Sequence, residues 1–179
     1  MVVQETKSTI GDVTAITAVC CAAIAAAANL LGTVILVRAF LADPDRLDDS
    51  LTLFTTLGAL VAAFAFGYGG LLLARRDQTG RWVLIVAASA QVGLGVLGLL
   101  ATLVNYDSEY GIHWFAEEPV IRSIPIGFGG VPGAVTAIVN HSWAAALAAV
   151  VLGALVLLPA ALPWTAAYAR PDHAVGPTV

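Results

Sequence analysis

A chain of 179 residues with 59% hydrophobic and only 11% charged side chains is not built for a water-facing surface. Soluble domains carry roughly 25% charge, and a chain this small exposes a large share of its residues. Mean hydropathy of +0.89 makes a bilayer the solvent that fits, and a net charge of −4 excludes a basic face for nucleic acid.

The first apolar stretch runs from Val13 to Leu41 and ends at DPDRLDDS, residues 43–50. Its start imitates a secretory signal, because AAIAAAAN offers small residues for cleavage. The positive region ahead of it is thin, however, and the run outlasts a typical h-region, so a retained first helix is expected. Cys20 and Cys21 lie inside it as neighbours; adjacent cysteines bridge only with strain, and they read as small buried hydrophobes. The acidic octapeptide lacks the glycine and terminal glutamate of a calcium loop. It reads as a short connection in which Asp49 or Ser50 caps the next helix.

A second stretch, Leu51 to Ala74, stops at ARRDQTGR. A third, Trp82 to Val104, carries no charge over its whole length and is long enough to cross a hydrocarbon core near 30 Å. Within it QVGLGVLG contains a literal G-x-G-x-x-G at Gly93, Gly95 and Gly98, with Glu117 and Glu118 about twenty residues on. A dinucleotide fold needs a strand and a tight turn at that place. An uninterrupted apolar helix supplies neither, so the motif carries no nucleotide.

The third connection, residues 105–133, contains YGIHWFAEEPVIRSIPI. His113 and Glu117 stand four apart and would share one side of a helix, yet two ligands are too few for a metal. An interfacial segment is expected, with Trp114, Phe115, Val120 and Ile121 on the membrane surface and the acids in water. IGFGGVPG then reads as turns leading back to the membrane. The fourth apolar stretch runs from Ala134 to Leu158 and ends at Pro159, which cannot continue a helix cheaply. A Pro-rich tail, residues 159–179, carries Trp164 and Tyr168, aromatics suited to the headgroup region.

These segments predict an all-α protein: one integral domain in the form of a four-helix transmembrane bundle. Arg75, Arg76 and Arg81 form the densest basic cluster, so the second connection and both termini should be cytoplasmic. The acidic first connection and the longer third one should then lie outside.

Taken in steps of three and four, each span shows a small or polar face. The first presents Ala15, Ala18, Ala22, Ala25, Asn29 and Gly32. The second presents Thr52, Thr56, Ala59, Ala63 and Gly70, with Phe66 as the exception. The third presents Ala88, Gln91, Gly95, Gly98, Thr102 and Asn105, and the fourth Ala134, Ala137, His141, Ala144 and Ala148. Helices in lipid gain little by hiding leucine; they associate where small residues let backbones approach and polar groups find partners. The informative residues are Asn29, Gly32, Gln91, Gly95, Gly98 and His141. Asn29 and His141 are expected to meet inside the bundle at similar depth. Gln91, near mid-span, needs a partner within the bundle or on a neighbouring protein.

No cofactor or metal is implied, and no nucleophile stands beside a base and an orienting acid: Ser89 and Ser142 have none. His141 has no intramembrane carboxylate with which to form a proton relay. The hydropathy pattern over the whole chain resembles that of small four-span accessory integral membrane proteins of high-GC bacteria, without a diagnostic motif. The resemblance implies a multi-pass place in the bacterial plasma membrane and membrane lipid and other integral subunits as partners. The expected role is a non-catalytic accessory subunit of a transporter or respiratory assembly. A transport or channel component for a lipid or other apolar solute is the alternative, against which stands the lack of obvious broken helices; a membrane enzyme is the third reading.

Overall fold

A computed structural model of the chain describes residues 2–42, 49–104 and 130–170. Among these the secondary structure is all-helical. Six helices follow one another: α1 (Val2–Ala42), α2 (Asp49–Ala74), α3 (Gln78–Leu103), α4 (Gly130–Asn140), α5 (Trp143–Ala161) and α6 (Pro163–Tyr168). Four of them, α1, α2, α3 and α5, are long and apolar enough to cross a membrane. These four form a ring in which α1 lies beside α2, α2 beside α3, α3 beside α5 and α5 beside α1. The ring has two ends, here named by the residues they carry: the Arg76 end, between α2 and α3, and the Asp49 end, where α2 begins.

The faces expected from the sequence are the ones turned inward on three of the spans. Ala15, Ala18, Ala22, Ala25 and Asn29 are buried on α1, and Ala59, Ala63 and Phe66 on α2. On α3 the buried set is Gly80, Leu84, Ala88, Gln91, Gly95 and Gly98. In the Arg76 half Ala18, Ala22, Ala25, Phe66, Leu84 and Ala88 join Leu73, Leu152 and Val156 in one apolar cluster.

The fourth apolar stretch departs from expectation. It is not one helix over residues 134–158 but two, α4 and α5, joined by a turn at His141 and Ser142. Three consecutive polar residues, Asn140, His141 and Ser142, interrupt the run. His141 takes a left-handed backbone, φ 53°, which cannot continue a right-handed helix. Ser142 restarts one as N-cap, its hydroxyl accepting loosely from the Ala145 N–H at 3.5 Å. The break shifts the buried face of α5 to Ala145, Ala146, Ala149, Leu152, Gly153 and Val156; Ala144 is exposed and Ala148 half-buried.

Pro159 does not end α5, which continues to Ala161. A proline in the last turn forfeits a single i→i−4 bond, and the carbonyls left over beyond it find partners. Arg81 Nε donates to Ala160 O at 2.9 Å and Nη2 to Ala161 O at 3.3 Å, a cationic cap where the helix dipole is negative. The Thr165 hydroxyl donates to Pro159 O at 2.6 Å.

The first part of the C-terminal tail is therefore structured. Its helix α6 lies against α1. Thr165 Oγ1 accepts from the Thr14 hydroxyl at 3.0 Å, and Ala169 is fully buried. Arg76 holds this corner from the α2–α3 turn. Its guanidinium sits 4.7 Å from the centre of the Tyr168 ring and 3.6 Å from Asp12 Oδ1. Both partners of that ion pair are about half exposed or more, so it contributes little. The turn itself is set by Arg76 at φ 63°: the Asp77 N–H reaches back to Leu72 O and the Arg76 N–H to Leu73 O, the reciprocal closure of a helix C-terminus. Asp77 then caps α3 by accepting from the Thr79 N–H at 2.8 Å.

Candidate functional site

Gln91 sits mid-way along α3, with about 18 Å of helix between it and the Asp49 end. The amide needs hydrogen bonds at a depth where an apolar surround offers few. It finds them on both sides of α3. Gln91 Nε2 donates to Ala149 O of α5 at 3.4 Å, and Gln91 Oε1 accepts from Asn29 Nδ2 of α1 at 3.3 Å. Asn29 Nδ2 also donates to Ala25 O at 2.9 Å, and Asn29 Oδ1 accepts from the backbone N–H of Val131 at 2.9 Å. Asn29 is fully buried and Gln91 2% exposed.

The Val131 bond defines the site. Val131 is the second residue of α4, so Asn29 caps the N-terminus of that helix from across the bundle. A helix leaves its first N–H groups without intrahelical partners. Here Pro132 carries no N–H at all, and Asn29 takes one of the remaining donors. The sequence G-V-P-G fits this use. Gly130 has φ 77° and a Cβ there would lie 2.6 Å from Asn29 Oδ1, so the position demands glycine on both backbone and steric grounds. Gly32, one turn beyond Asn29 on α1, receives the Pro132 ring, whose Cγ would stand 2.9 Å from a Cβ at position 32.

From this mid-depth start α4 rises toward the Asp49 end, parallel to α1. Leu36 packs near Val135 and Val139. Ala137 comes to Gly98 of α3, 3.1 Å from a Cβ built there, and Ala146 of α5 meets the same glycine at 3.3 Å. The helix touches α1, α2, α3 and α5, and each of its residues from Gly130 to Val139 is buried or half-buried. It fills the interior of the Asp49 half as a plug about 16 Å long. Residues 130–133, expected as part of a turn-rich loop, are its first turn.

The expected meeting of Asn29 with His141 does not occur. Asn29 is bonded to the start of α4, whereas His141 follows its end, about 15 Å further along the axis. The break in the fourth stretch, which the apolar run concealed, moves the histidine from mid-helix to a half-buried turn. Gln91, left open as to partner, is the residue that Asn29 meets. The missed participants are Gly130, Val131 and Pro132; proline near a helix start is the signal that could have marked them.

Gly95 and Gly98 lie in helix–helix seams. A Cβ at Gly95 would stand 2.7 Å from Val150 Cγ2 and 2.9 Å from the Val150 nitrogen. Gly93, the first glycine of the nucleotide-like motif, faces open space. His113, Trp114, Phe115 and Glu117 lie outside the described residues. Among the described residues no three His, Cys, Asp or Glu side chains gather in a group able to hold a metal.

What the site can do follows from its composition. It is neutral: two carboxamides, backbone amides and carbonyls, with the positive end of a short helix dipole aimed at Asn29 Oδ1. Such a cluster orients helices and presents hydrogen bonds at mid-depth. Comparison of the chain with protein-family models, curated proteins and solved structures gives no match in any of the three.

Proposed function

We propose that the protein is a non-catalytic accessory subunit of a larger membrane assembly. In this reading it sits in a bacterial plasma membrane with both termini and the arginine-rich α2–α3 turn on the cytoplasmic side and the Asp49 end outside. The supporting observation is that the polar interior is spent on itself. Asn29 and Gln91 bond to each other, to α4 and to α5, while only 28–39% of the most apolar window of each span is buried within the bundle. The greater part of every span is thus left to lipid and to other helices. On α2 this outward surface includes Phe54, Leu57, Val61 and Phe64, with Phe64 stacked on Tyr68 at 5.5 Å. Gly67 between them opens to the outside, a notch where another helix can come close.

Extraction in a gentle detergent followed by mass measurement of the intact species tests this. Co-purification with other integral subunits in fixed ratio is the expected result. A stable lone monomer or homo-oligomer contradicts it.

The broken fourth stretch favours a second reading, a transport component. Transporters place solute sites at mid-depth beside the N-termini of discontinuous helices, and α4 is such a helix. Its carboxamide floor favours a solute with a hydrogen-bonding group over a purely apolar one. Solute flux into liposomes carrying the purified chain alone supports this reading, and its absence there leaves the accessory role.

A further inference from the structure

We propose that α4 is a hinged plug, which swings from its seat toward the Asp49 end and opens a dead-end cavity floored by Asn29 and Gln91. Four observations carry the inference.

The first is attachment. The foot of α4 is tied to α1 by the hydrogen bond from the Val131 N–H to Asn29 Oδ1. Gly32, Gly58 and Gly98 of the surrounding spans meet it in van der Waals contact. The second is the pair of hinges. Left-handed backbone stands at both ends of the same helix, Gly130 at φ 77° and His141 at φ 53°. For a non-glycine residue such as His141 that conformation is costly, and hinges concentrate large φ/ψ changes in a few end residues of this kind.

The third is the polarity of the two halves. The Arg76 half is filled by Ala18, Ala22, Phe66, Leu84 and Val156, which keeps any opening closed below. In the Asp49 half α1 and α2, both neighbours of α4, carry buried hydroxyls. Thr33, Thr52 and Thr56 have Oγ1 atoms buried and without a hydrogen-bond partner. A buried hydroxyl without a partner is unfavourable, so the Asp49 half is less well satisfied than the apolar Arg76 half. The fourth is size: 11 residues against the 19 to 41 of the spans, so α4 can move while the ring around it stays intact.

Amide hydrogen exchange on the full chain in lipid nanodiscs tests the plug. The amides of residues 134–139 in α4 are expected to exchange at least tenfold faster than those of residues 96–101 in α3, which lie at the same depth beside them. Linking α4 to α3 through G98C and A137C, in a background where Cys20 and Cys21 are alanine, is expected to remove that excess. Asn29→Ala, which releases the Val131 N–H, is expected to raise the α4 rate several-fold. Exchange in α4 as slow as in α3 in the unmodified protein overturns the proposal, whatever the variants do. Fast exchange that survives the link also overturns it, since fraying rather than displacement would then be the cause. The nanodisc experiment needs no partner subunit, so its failure leaves the accessory reading standing.

Discussion

Replacing Gly95 by leucine is expected to break the seam between α3 and α5 at a cost of about 3 kcal/mol or more, while the same change at Gly93 stays within about 0.5 kcal/mol of the unmodified protein. The two glycines are two residues apart in one motif, and a helix sends them to different sides. At Gly95 the first added carbon meets the Val150 backbone nitrogen at 2.9 Å and the Ala146 carbonyl oxygen at 3.1 Å. Backbone cannot step aside as a flexible side chain can, so the helices must separate along their length. Separation carries Gln91 away from Ala149, whose bond is already long at 3.4 Å. At Gly93 the first added carbon meets nothing within 4 Å, so the side chain extends away from the bundle without forcing its helices apart. Reversible unfolding in a mixed detergent titration measures both changes. Equal destabilisation by the two leucines would contradict the seam assignment.

Asn29→Leu is expected to cost about 2–4 kcal/mol, and Gln91→Leu about 1–2 kcal/mol. The order matters more than the size. Removing the Asn29 carboxamide strands the Val131 N–H at the foot of α4 and the Gln91 carbonyl together. Removing Gln91 strands one Asn29 N–H while the other keeps Ala25 O as acceptor at 2.9 Å, and it releases the Ala149 carbonyl, which has its helix. The same unfolding titration gives both values, and a larger loss at Gln91 than at Asn29 would show that capping of α4 is not what Asn29 does.

Much of this architecture is legible in the sequence for a physical reason. In an apolar solvent the inward face is marked by small size, and small residues in steps of three and four pick out Ala88, Gln91, Gly95 and Gly98 on α3 and Ala15 to Asn29 on α1. These are the buried faces. The same rule fails in the fourth stretch because hydropathy measures composition and not continuity. Residues 134–158 average as one long apolar helix, and a single left-handed residue at His141 divides them. The polar triplet Asn140-His141-Ser142 is the local sign, and a serine at a helix start has a capping role that a mid-helix serine lacks. The site is obscured by the same break. With α4 unseen, His141 is the one polar residue on the small-residue face of the fourth stretch, and Asn29 is paired with it. The backbone N–H of Val131 carries no side-chain label by which a sequence could announce it. Pro159 likewise reads as a stop, although Arg81 and Thr165 supply the hydrogen bonds that let α5 run past it.

The central claim is that the fourth apolar stretch folds back on itself and brings both its arms to one point on α3. A Cβ at Gly98 would stand 3.1 Å from that of Ala137 of α4 and 3.3 Å from that of Ala146 of α5. In one straight helix residues 137 and 146 would lie about 13 Å apart along the axis, and no single position could reach both. The direct measurement is mild oxidation of two double variants, G98C with A137C and G98C with A146C, each in a background without Cys20 and Cys21. The folded-back arrangement predicts that both pairs form disulfides in the membrane. A bond in one pair and none in the other would mean a continuous helix, and with it the cap, the plug and the mid-depth site would be lost.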